Sequence, residues 1–274
     1  MAREFPARLH VLLASKAPVG VVFRRGPANA VCTVGWNRET DQFELGQWLR
    51  GRIYERRADL SPDGRHLIYF ARGGRRHRET RSSWTAISRV PWLHAVTLYG
   101  KGDCWQGGGL FISNEKYWLN GCHFVVRRSA ELAEDEKYTP EGFFGAECPS
   151  VYYRRLLRDG WTLEMNVGPG RVAPCTVFAK PLPHGWILRK FAYADIDHPE
   201  GAGVYWDEHE LEHPRRKALL SVPTWEWAER DGAALVWAEK GVLHRAVVNP
   251  SGPAAAKTLY NFNPMRFEPR EAPY

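Results

Sequence analysis

The chain has 274 residues, of which 44% are hydrophobic and 25% are charged, and 38 Lys and Arg stand against 31 Asp and Glu. This composition is ordinary for a folded globular protein and excludes collagen-like, coiled-coil and disordered chains. No run approaches the roughly 18–20 apolar residues that cross a bilayer, so we expect no membrane association. The formal charge of +7 favours acidic partners or nucleic acid without specifying either.

The first predicted strands are Leu9–Ala14, Val19–Phe23 and Ala30–Val34. The first of these is too short for a secretory signal, which needs roughly 7–15 apolar residues after its basic start. The cysteines are far apart, form no CxxC pair, and fit neither a disulfide framework nor a zinc finger. They are Cys32, Cys104, Cys122, Cys148 and Cys175. We therefore predict reduced thiols and a cytoplasmic location.

A turn followed by an apolar strand is clearest at residues 58–74. Pro62 fixes one φ angle of the turn, and Gly64 accepts a positive one. The run Leu67–Ala71 is apolar throughout, which is typical of a strand covered on both faces. Weaker copies of this unit begin at Gly109, Gly160 and Gly185.

The acidic stretch 129–150 departs from this pattern. It combines several glutamates with Pro140 and two adjacent phenylalanines, Phe143 and Phe144. We interpret it as an insertion between strands with room for a short helix, either as a solvated loop or as a lid or partner contact, since long loops often carry function.

The turn-and-strand unit returns in full near the end of the sequence. Trp225–Trp227 precedes a turn at Arg230–Gly232, and the strands Ala234–Ala238, Val242–Val248 and Lys257–Phe262 follow. Units that recur about every 40–50 residues with about four strands each are typical of a β-propeller.

At this point the sequence resembles a known family. Leu60–Arg65 followed by Leu67–Ala71 is similar to the repeat of TolB-type (PD40, WD40-like) β-propellers, and Thr224–Phe262 resembles the same four-stranded blade. The Gly-His and Trp-Asp dipeptides of true WD40 repeats are absent. The resemblance implies a fold and a habit of binding macromolecules, and it implies no activity.

We therefore expect an all-β fold with a single β-propeller domain over residues 1–274, built from four-stranded antiparallel blades. At about 45–55 residues per blade the length allows five or six blades, and we prefer five. The acidic stretch 129–150 is the expected insertion in this domain.

His209, Glu210 and His213 form a literal HExxH sequence, which binds zinc when it lies on a helix. Pro214 follows directly, and Val204–Trp206 before it is typical of a strand. On a strand the two histidines share one face and Glu210 lies on the other, which breaks the zinc geometry. We therefore predict neither a metal nor another cofactor.

The strongest candidate for a binding surface is the basic loop at residues 72–81 with a nearby tryptophan. Its residues are Arg72, Arg75, Arg76, Arg78, Arg81 and Trp84. We predict a non-enzymatic interaction module that binds a protein partner through one loop-bearing rim.

Two alternatives stay open, so the question of enzymatic activity is undecided and leans towards none. Cations interleaved with aromatic residues also suit single-stranded nucleic acid, bound through the loop at 72–81. A hydrolase with a carboxylate pair in a central pocket, of the glycoside type, is the second alternative, although no pair can be named from the sequence.

Overall fold

The computed structural model describes residues 5–26, 29–73, 79–166, 175–198, 200 and 203–274. These residues form strands and one α-helix, and almost all strand pairs are antiparallel, which confirms the all-β prediction. Within the described ranges the α-helix has 11 residues, and no helix is long and apolar enough to cross a membrane.

The chain divides into two compact units. The large unit comprises Val11–Asp159 and Arg266–Tyr274, and the small unit comprises Met1–His10 and Gly160–Met265. The prediction of a single propeller domain over residues 1–274 stays a prediction.

Strands β1 to β12 precede the helix. They are β1 (Arg8–Leu13), β2 (Val19–Arg25), β3 (Ala30–Asn37), β4 (Gln42–Ile53), β5 (Asp59–Leu60), β6 (His66–Gly73), β7 (Ser83–Arg89), β8 (Ala95–Gly100), β9 (Gly109–Phe111), β10 (Lys116–Leu119), β11 (Phe124–Arg127) and β12 (Ala133–Glu134). One sheet has the order β1-β2-β3-β4-β6-β7-β8-β11, with β5 paired to β6. A smaller sheet has the order β12-β10-β9, and its β10–β12 pair is parallel.

Strand β6 is covered on both faces, as the apolar run Leu67–Ala71 predicts. Leu67, Tyr69 and Ala71 pack in one core cluster, together with residues of β2, β3 and β7. Ile68 packs in a second cluster with Tyr99 and other residues of β7 to β10. The alternation of side chains along the strand therefore supplies two cores.

The helix α1 (Cys148–Arg158) begins at the end of the acidic stretch and lies mostly beyond it, whereas the sequence indicated a short helix within the stretch. Within that stretch the structure contains only the short strand β12 before α1 begins. The Arg158 guanidinium makes two hydrogen bonds to the Asp59 carboxylate, at 2.5 and 2.8 Å, and Arg155 donates to the backbone oxygen of Ala58. The arginines of this helix therefore hold it against the β5 region of the large unit.

The small unit contains two further sheets. Their strands are β13 (Thr162–Asn166), β14 (Cys175–Pro181), β15 (Ile187–Ala194), β16 (Tyr205–His213), β17 (Ala218–Ser221), β18 (Trp225–Asp231), β19 (Ala234–Glu239), β20 (Val242–Asn249), β21 (Gly252–Pro253) and β22 (Lys257–Asn261). One sheet has the order β13-β14-β15-β16-β17, and the other has the order β18-β19-β20-β21 with β22 paired to β20.

The four strands predicted in Thr224–Phe262 are all present as β18, β19, β20 and β22. The turn between the first two uses Gly232 at a φ angle of 62°, where an L side chain is strained. The predicted four-stranded antiparallel arrangement of this segment is confirmed, while its place in a ring of blades stays a prediction.

Candidate functional site

A cleft of about 670 Å³ opens in the large unit, beside the core formed by β4, β6, β7 and β8. Its volume lies in the range of roughly 300–1,000 Å³ that is usual for ligand sites. We call it the aromatic cleft and define it by six of its lining residues. They are Gln47, Trp48, Tyr69, Thr80, Trp84 and His94.

A bulge in β4 places Gln47 and Trp48 at the cleft. The pairing of β3 with β4 shifts between Cys32, which faces Trp48, and Val34, which faces Leu45. Such a bulge re-aims side chains that a regular strand would alternate.

The side chain of Gln47 joins β4 to the loop after β7. Its Oε1 accepts hydrogen bonds from the backbone N–H groups of Leu93 and His94, both at 2.8 Å. These two bonds hold His94 at the edge of the aromatic cleft.

Two aromatic side chains from neighbouring strands form the inner wall of the cleft. Tyr69 of β6 and Trp84 of β7 are 3% and 9% exposed, and both belong to the core. The Tyr69 hydroxyl donates to the backbone oxygen of Leu93 at 2.5 Å, and burial raises its pKa, so the phenol stays protonated. The inner wall is therefore rigid and uncharged.

Two buried polar atoms of the cleft have no hydrogen-bond partner among the described residues. They are Nε1 of Trp48 and Oγ1 of Thr80. Thr80 is 4% exposed, so its hydroxyl is withdrawn from bulk solvent. Leaving a buried donor or hydroxyl unsatisfied costs about 1–3 kcal/mol, so these two atoms distinguish this cleft from an ordinary surface groove.

Charged groups surround Trp48 and the mouth of the cleft. The Arg24 guanidinium lies 5.4 Å from the Trp48 ring centroid. Arg127 and Glu79 also line the cleft, and Arg127 donates to the backbone oxygen of Ala95 at 3.1 Å. The cleft thus combines an apolar interior with a polar, mixed-charge edge.

The segment Arg266–Tyr274, which we call the edge segment, contacts the same surface. The Phe267 ring lies 5.8 Å from the Trp48 ring, and the Arg50 guanidinium lies 4.6 Å from the Phe267 centroid. The amide of Gln47 donates to the backbone oxygen of Arg270 at 2.9 Å. Two residues of the aromatic cleft therefore hold the edge segment.

The last residue of the edge segment is held in a similar way. The Tyr274 ring lies 5.7 Å from the His94 ring, with the Arg89 guanidinium 5.0 Å from its centroid. Its hydroxyl accepts a hydrogen bond from the Arg89 N–H and donates to the His94 backbone oxygen, both at 2.9 Å. An aromatic ring contacted by another ring and by a guanidinium thus occurs twice along this segment.

A second, open cleft of about 1,000 Å³ lies elsewhere on the large unit and has carboxylates among its lining residues. Asp63 accepts hydrogen bonds from the Ser61 hydroxyl at 2.6 Å and from the Arg65 N–H at 3.1 Å, which stabilises the turn before β6. Glu131 forms an ion pair with Arg89 at 3.5 Å. Asp63 and Glu131 therefore have structural partners, and Glu44 is the third carboxylate among the described residues that line this cleft. The aromatic cleft, which has two unsatisfied buried polar atoms, is the stronger candidate site.

The basic loop predicted as a binding surface is described only in part. Arg72 and Arg81 are exposed, and the Arg81 guanidinium lies 5.0 Å from the Phe124 ring centroid. Trp84 is buried, and it lines the aromatic cleft instead of an exposed loop surface. The remaining residues of this prediction, Arg75, Arg76 and Arg78, lie outside the described residues.

The HExxH sequence lies on strand β16, as its sequence context predicts. His209 and His213 are buried on one face, at 1% and 6% exposure, while Glu210 pairs with Arg189 of β15 in the sheet. Both ring nitrogens of His209 have protein partners, namely the Trp225 backbone oxygen and the Lys190 ammonium. These contacts give His209 a structural role in the small unit.

Sequence reasoning selected Trp84 and missed the other five residues that define the aromatic cleft. Gln47 and Trp48 reach it through a bulge, and Thr80 lies in the turn before β7. Nothing in the local pattern of β4 indicates that bulge. The pairing of the strands brings these residues together, and single-sequence patterns do not specify it.

Comparisons with known proteins supply no assignment. No protein-family model and no curated protein matches the chain. Among solved structures, the chain is similar to an uncharacterized protein from Listeria monocytogenes, with 10% identity, a TM-score of 0.27, and coverage of 93% of this chain and 67% of that one. Function must therefore be argued from the geometry of the aromatic cleft.

Proposed function

We propose that this protein is a non-enzymatic interaction module that binds a segment of a protein partner in the aromatic cleft. One observation carries the proposal: Trp48 and Thr80 line a cleft of about 670 Å³, and the buried atoms Nε1 of Trp48 and Oγ1 of Thr80 have no hydrogen-bond partner among the described residues. A ligand that satisfies both atoms gains their bonding without displacing an existing one.

A peptide segment suits this arrangement. Its backbone offers a carbonyl acceptor for the Trp48 indole N–H and an amide donor for the Thr80 hydroxyl. Tyr69 and Trp84 supply an apolar wall against which a side chain of the peptide can pack. Aromatic-lined grooves with indole donors are a common means of binding extended peptides.

Chemistry of the glycosidic type receives little support from the aromatic cleft. That reaction needs two carboxylates that flank the scissile bond. Glu79 is the one carboxylate among the described residues that line the cleft. A cleft with an apolar wall and a single acidic group favours binding over hydrolysis.

The propeller remains our proposal for the scaffold, with five blades preferred. The antiparallel meanders β1–β4, β6–β8, β13–β17 and β18–β20 support it, since each strand pairs with its neighbour along the chain. The pairing of β4 with β6 joins the first two meanders into one sheet. Two separate blades would not require this pairing. An experimental structure tests this part: five radially arranged sheets are expected, and two stacked layers would contradict it.

We also propose a cytoplasmic location. All five cysteines are free thiols, which suits a reducing compartment. The proposal predicts that the protein fractionates with cytoplasmic markers.

A library of random 12-residue peptides displayed on phage, selected on the folded protein, tests the binding function. Synthetic versions of the selected peptides are titrated by calorimetry against the wild type, Thr80→Val and Trp48→Phe. Thr80→Val removes the hydroxyl and keeps the shape of the side chain, whereas Trp48→Phe removes the indole N–H together with one of its two rings. We expect at least tenfold weaker binding to each. Thr40→Val, in an exposed turn between β3 and β4, is the matched control and should bind as the wild type does.

The same experiment separates the proposal from its alternatives. Peptides that bind Thr80→Val and Trp48→Phe as tightly as the wild type would contradict a site in the aromatic cleft. A labelled single-stranded oligonucleotide is the second probe. Binding that weakens steeply with salt and is lost in the Arg72→Ala, Arg81→Ala double variant would favour the nucleic-acid alternative.

A further inference from the structure

The edge segment, Arg266–Tyr274, is held by side chains of the aromatic cleft and yet is weakly buried. None of its nine residues is buried, and it contains no helix or strand. Pro269 and Pro273 lie within it, and proline disfavours both helix and central strand. An exposed segment without regular structure opens at a low free-energy cost, so it can leave its position while the unit stays folded.

We infer that the edge segment is an intramolecular ligand of the aromatic cleft, and that the partner segment shares its chemistry. That chemistry is an extended, proline-containing peptide with two aromatic anchors seven residues apart, as Phe267 and Tyr274 are. This inference rests on the proposed function, because it names the class of peptide that the cleft binds.

The first anchor position is formed by Trp48 and Arg50. Trp48 contacts the Phe267 ring and also supplies an indole N–H with no partner among the described residues. A partner peptide that packs an aromatic ring on Trp48, as Phe267 does, must displace Phe267. Occupation by the partner and by the edge segment is therefore mutually exclusive at Trp48.

The second anchor position is formed by His94 and Arg89. The Tyr274 hydroxyl uses the backbone groups of both residues, so this position selects a tyrosine over a phenylalanine. Between the anchors, the Gln47 amide holds the Arg270 backbone oxygen, a bond that any extended peptide can reproduce. The surface thus recognises two side chains and one main-chain carbonyl of the bound peptide.

Competition follows from the covalent attachment of the edge segment. A tethered ligand acts at an effective concentration in the millimolar range when its linker is short. A free peptide competes only if its concentration exceeds that effective concentration, or if it binds more tightly than the edge segment does. We therefore expect the full chain to bind partner peptides weakly until the edge segment is displaced.

The test uses a fluorescein-labelled peptide of residues 264–274 and the full chain carrying Phe267→Ala and Tyr274→Ala. The peptide should bind this double variant at least tenfold more tightly than it binds the wild type, by fluorescence anisotropy. A peptide with alanine at both anchor positions should not bind. Adding Arg50→Ala to the double variant should weaken binding of the unmodified peptide several-fold, while Thr40→Val should leave it unchanged.

Phe267→Leu in the full chain is a second variant, to be used if the double variant does not fold. It keeps an apolar side chain at position 267. It should bind the peptide with intermediate affinity. Equal binding to the wild type and to every variant would overturn the inference, as would no binding to variants whose unfolding curves match the wild type. If phage-selected peptides still bind in a Thr80-dependent manner in that case, the inference fails and the proposed function stands; if they do not, both fail.

Discussion

The ammonium group of Lys190 lies 3.0 Å from Nε2 of His209, and both side chains are 1% exposed. His209 Nδ1 lies 2.9 Å from the Trp225 backbone oxygen. A carbonyl can only accept, so Nδ1 carries the proton and Nε2 accepts from Lys190. The Lys190 ammonium also lies 3.8 Å from the Asp207 carboxylate and 4.9 Å from the Trp161 ring centroid. These contacts are consistent with a structural role for the HExxH histidine.

Lys190→Met should strongly destabilise the small unit. The substitution removes the ammonium and leaves the Asp207 carboxylate and His209 Nε2 buried without it. Removing one partner of a buried ion pair costs about 3–5 kcal/mol, and we expect a loss in that range in the free energy of unfolding. Urea unfolding followed by tryptophan fluorescence measures it.

Glu131→Gln provides the control, because it breaks an ion pair with Arg89 whose side chains are 65% and 47% exposed. Such exposed pairs contribute about 0–1 kcal/mol, so the unfolding curve should hardly move. A Lys190→Met variant as stable as Glu131→Gln would show that the buried cluster contributes nothing to the fold.

Thr80→Val should leave the unfolding free energy unchanged or raise it by up to about 1 kcal/mol, because the hydroxyl is buried with no partner among the described residues. Thr85→Val is the matched comparison in the same unit. The Thr85 hydroxyl accepts from the Gly108 N–H and pairs with His123 Nε2, both at 2.9 Å. That variant should lose about 1–3 kcal/mol. If both variants lose equal stability in thermal unfolding, the Thr80 hydroxyl has an unrecognised structural partner.

The positions of the strands could be predicted from the sequence more readily than the residues of the aromatic cleft. The run Leu67–Ala71 and the segment Thr224–Phe262 combine apolar strands with turn residues, and both fold as expected. The position of helix α1 was missed, because its buried positions include Tyr152 and Arg155, which do not form a clean apolar stripe. The local pattern of apolar and turn residues thus predicts where the strands lie, but it does not show which strands pair.

Arginine side chains serve inside the protein as well as on its surface. Arg57 is 2% exposed, and its guanidinium donates to the backbone oxygens of Cys104 and Gln106, both at 2.7 Å. Arginine is well suited to such positions because its fork of donors satisfies several acceptors at once. A sequence cannot distinguish this use from a solvated cation.

Cysteine reactivity should follow burial. Cys122 is exposed, whereas burial raises the pKa of Cys32 to about 12 and also raises the pKa of Cys148. The thiolate is the reactive form, so both buried thiols should resist alkylation. Iodoacetamide at pH 8 followed by mass spectrometry should show Cys122 modified first, with Cys32 and Cys148 labelled only after denaturation. Alkylation of Cys32 at the rate of Cys122 in the folded protein would contradict its burial.

His123 is held neutral by burial, and a chain of hydrogen bonds in the large unit fixes its tautomer. Its Nδ1 lies 2.8 Å from the Gly121 backbone oxygen and therefore donates. Its Nε2 accepts from the Thr85 hydroxyl, which itself accepts from Gly108. Burial lowers the pKa of His123 to about 4, and the bond to Gly121 opposes that shift in part.

His123→Gln should therefore reduce the pH dependence of stability. The folded pKa of about 4 lies below the unfolded value of about 6.5, so the unfolded chain binds more protons between these values. The contribution of the neutral imidazole is present above pH 6.5 and is lost as the pH falls towards 4. We expect the wild type to lose about 1–2 kcal/mol more than His123→Gln between pH 7 and pH 4.5. An NMR titration that places the His123 midpoint near 6.5 would refute the prediction.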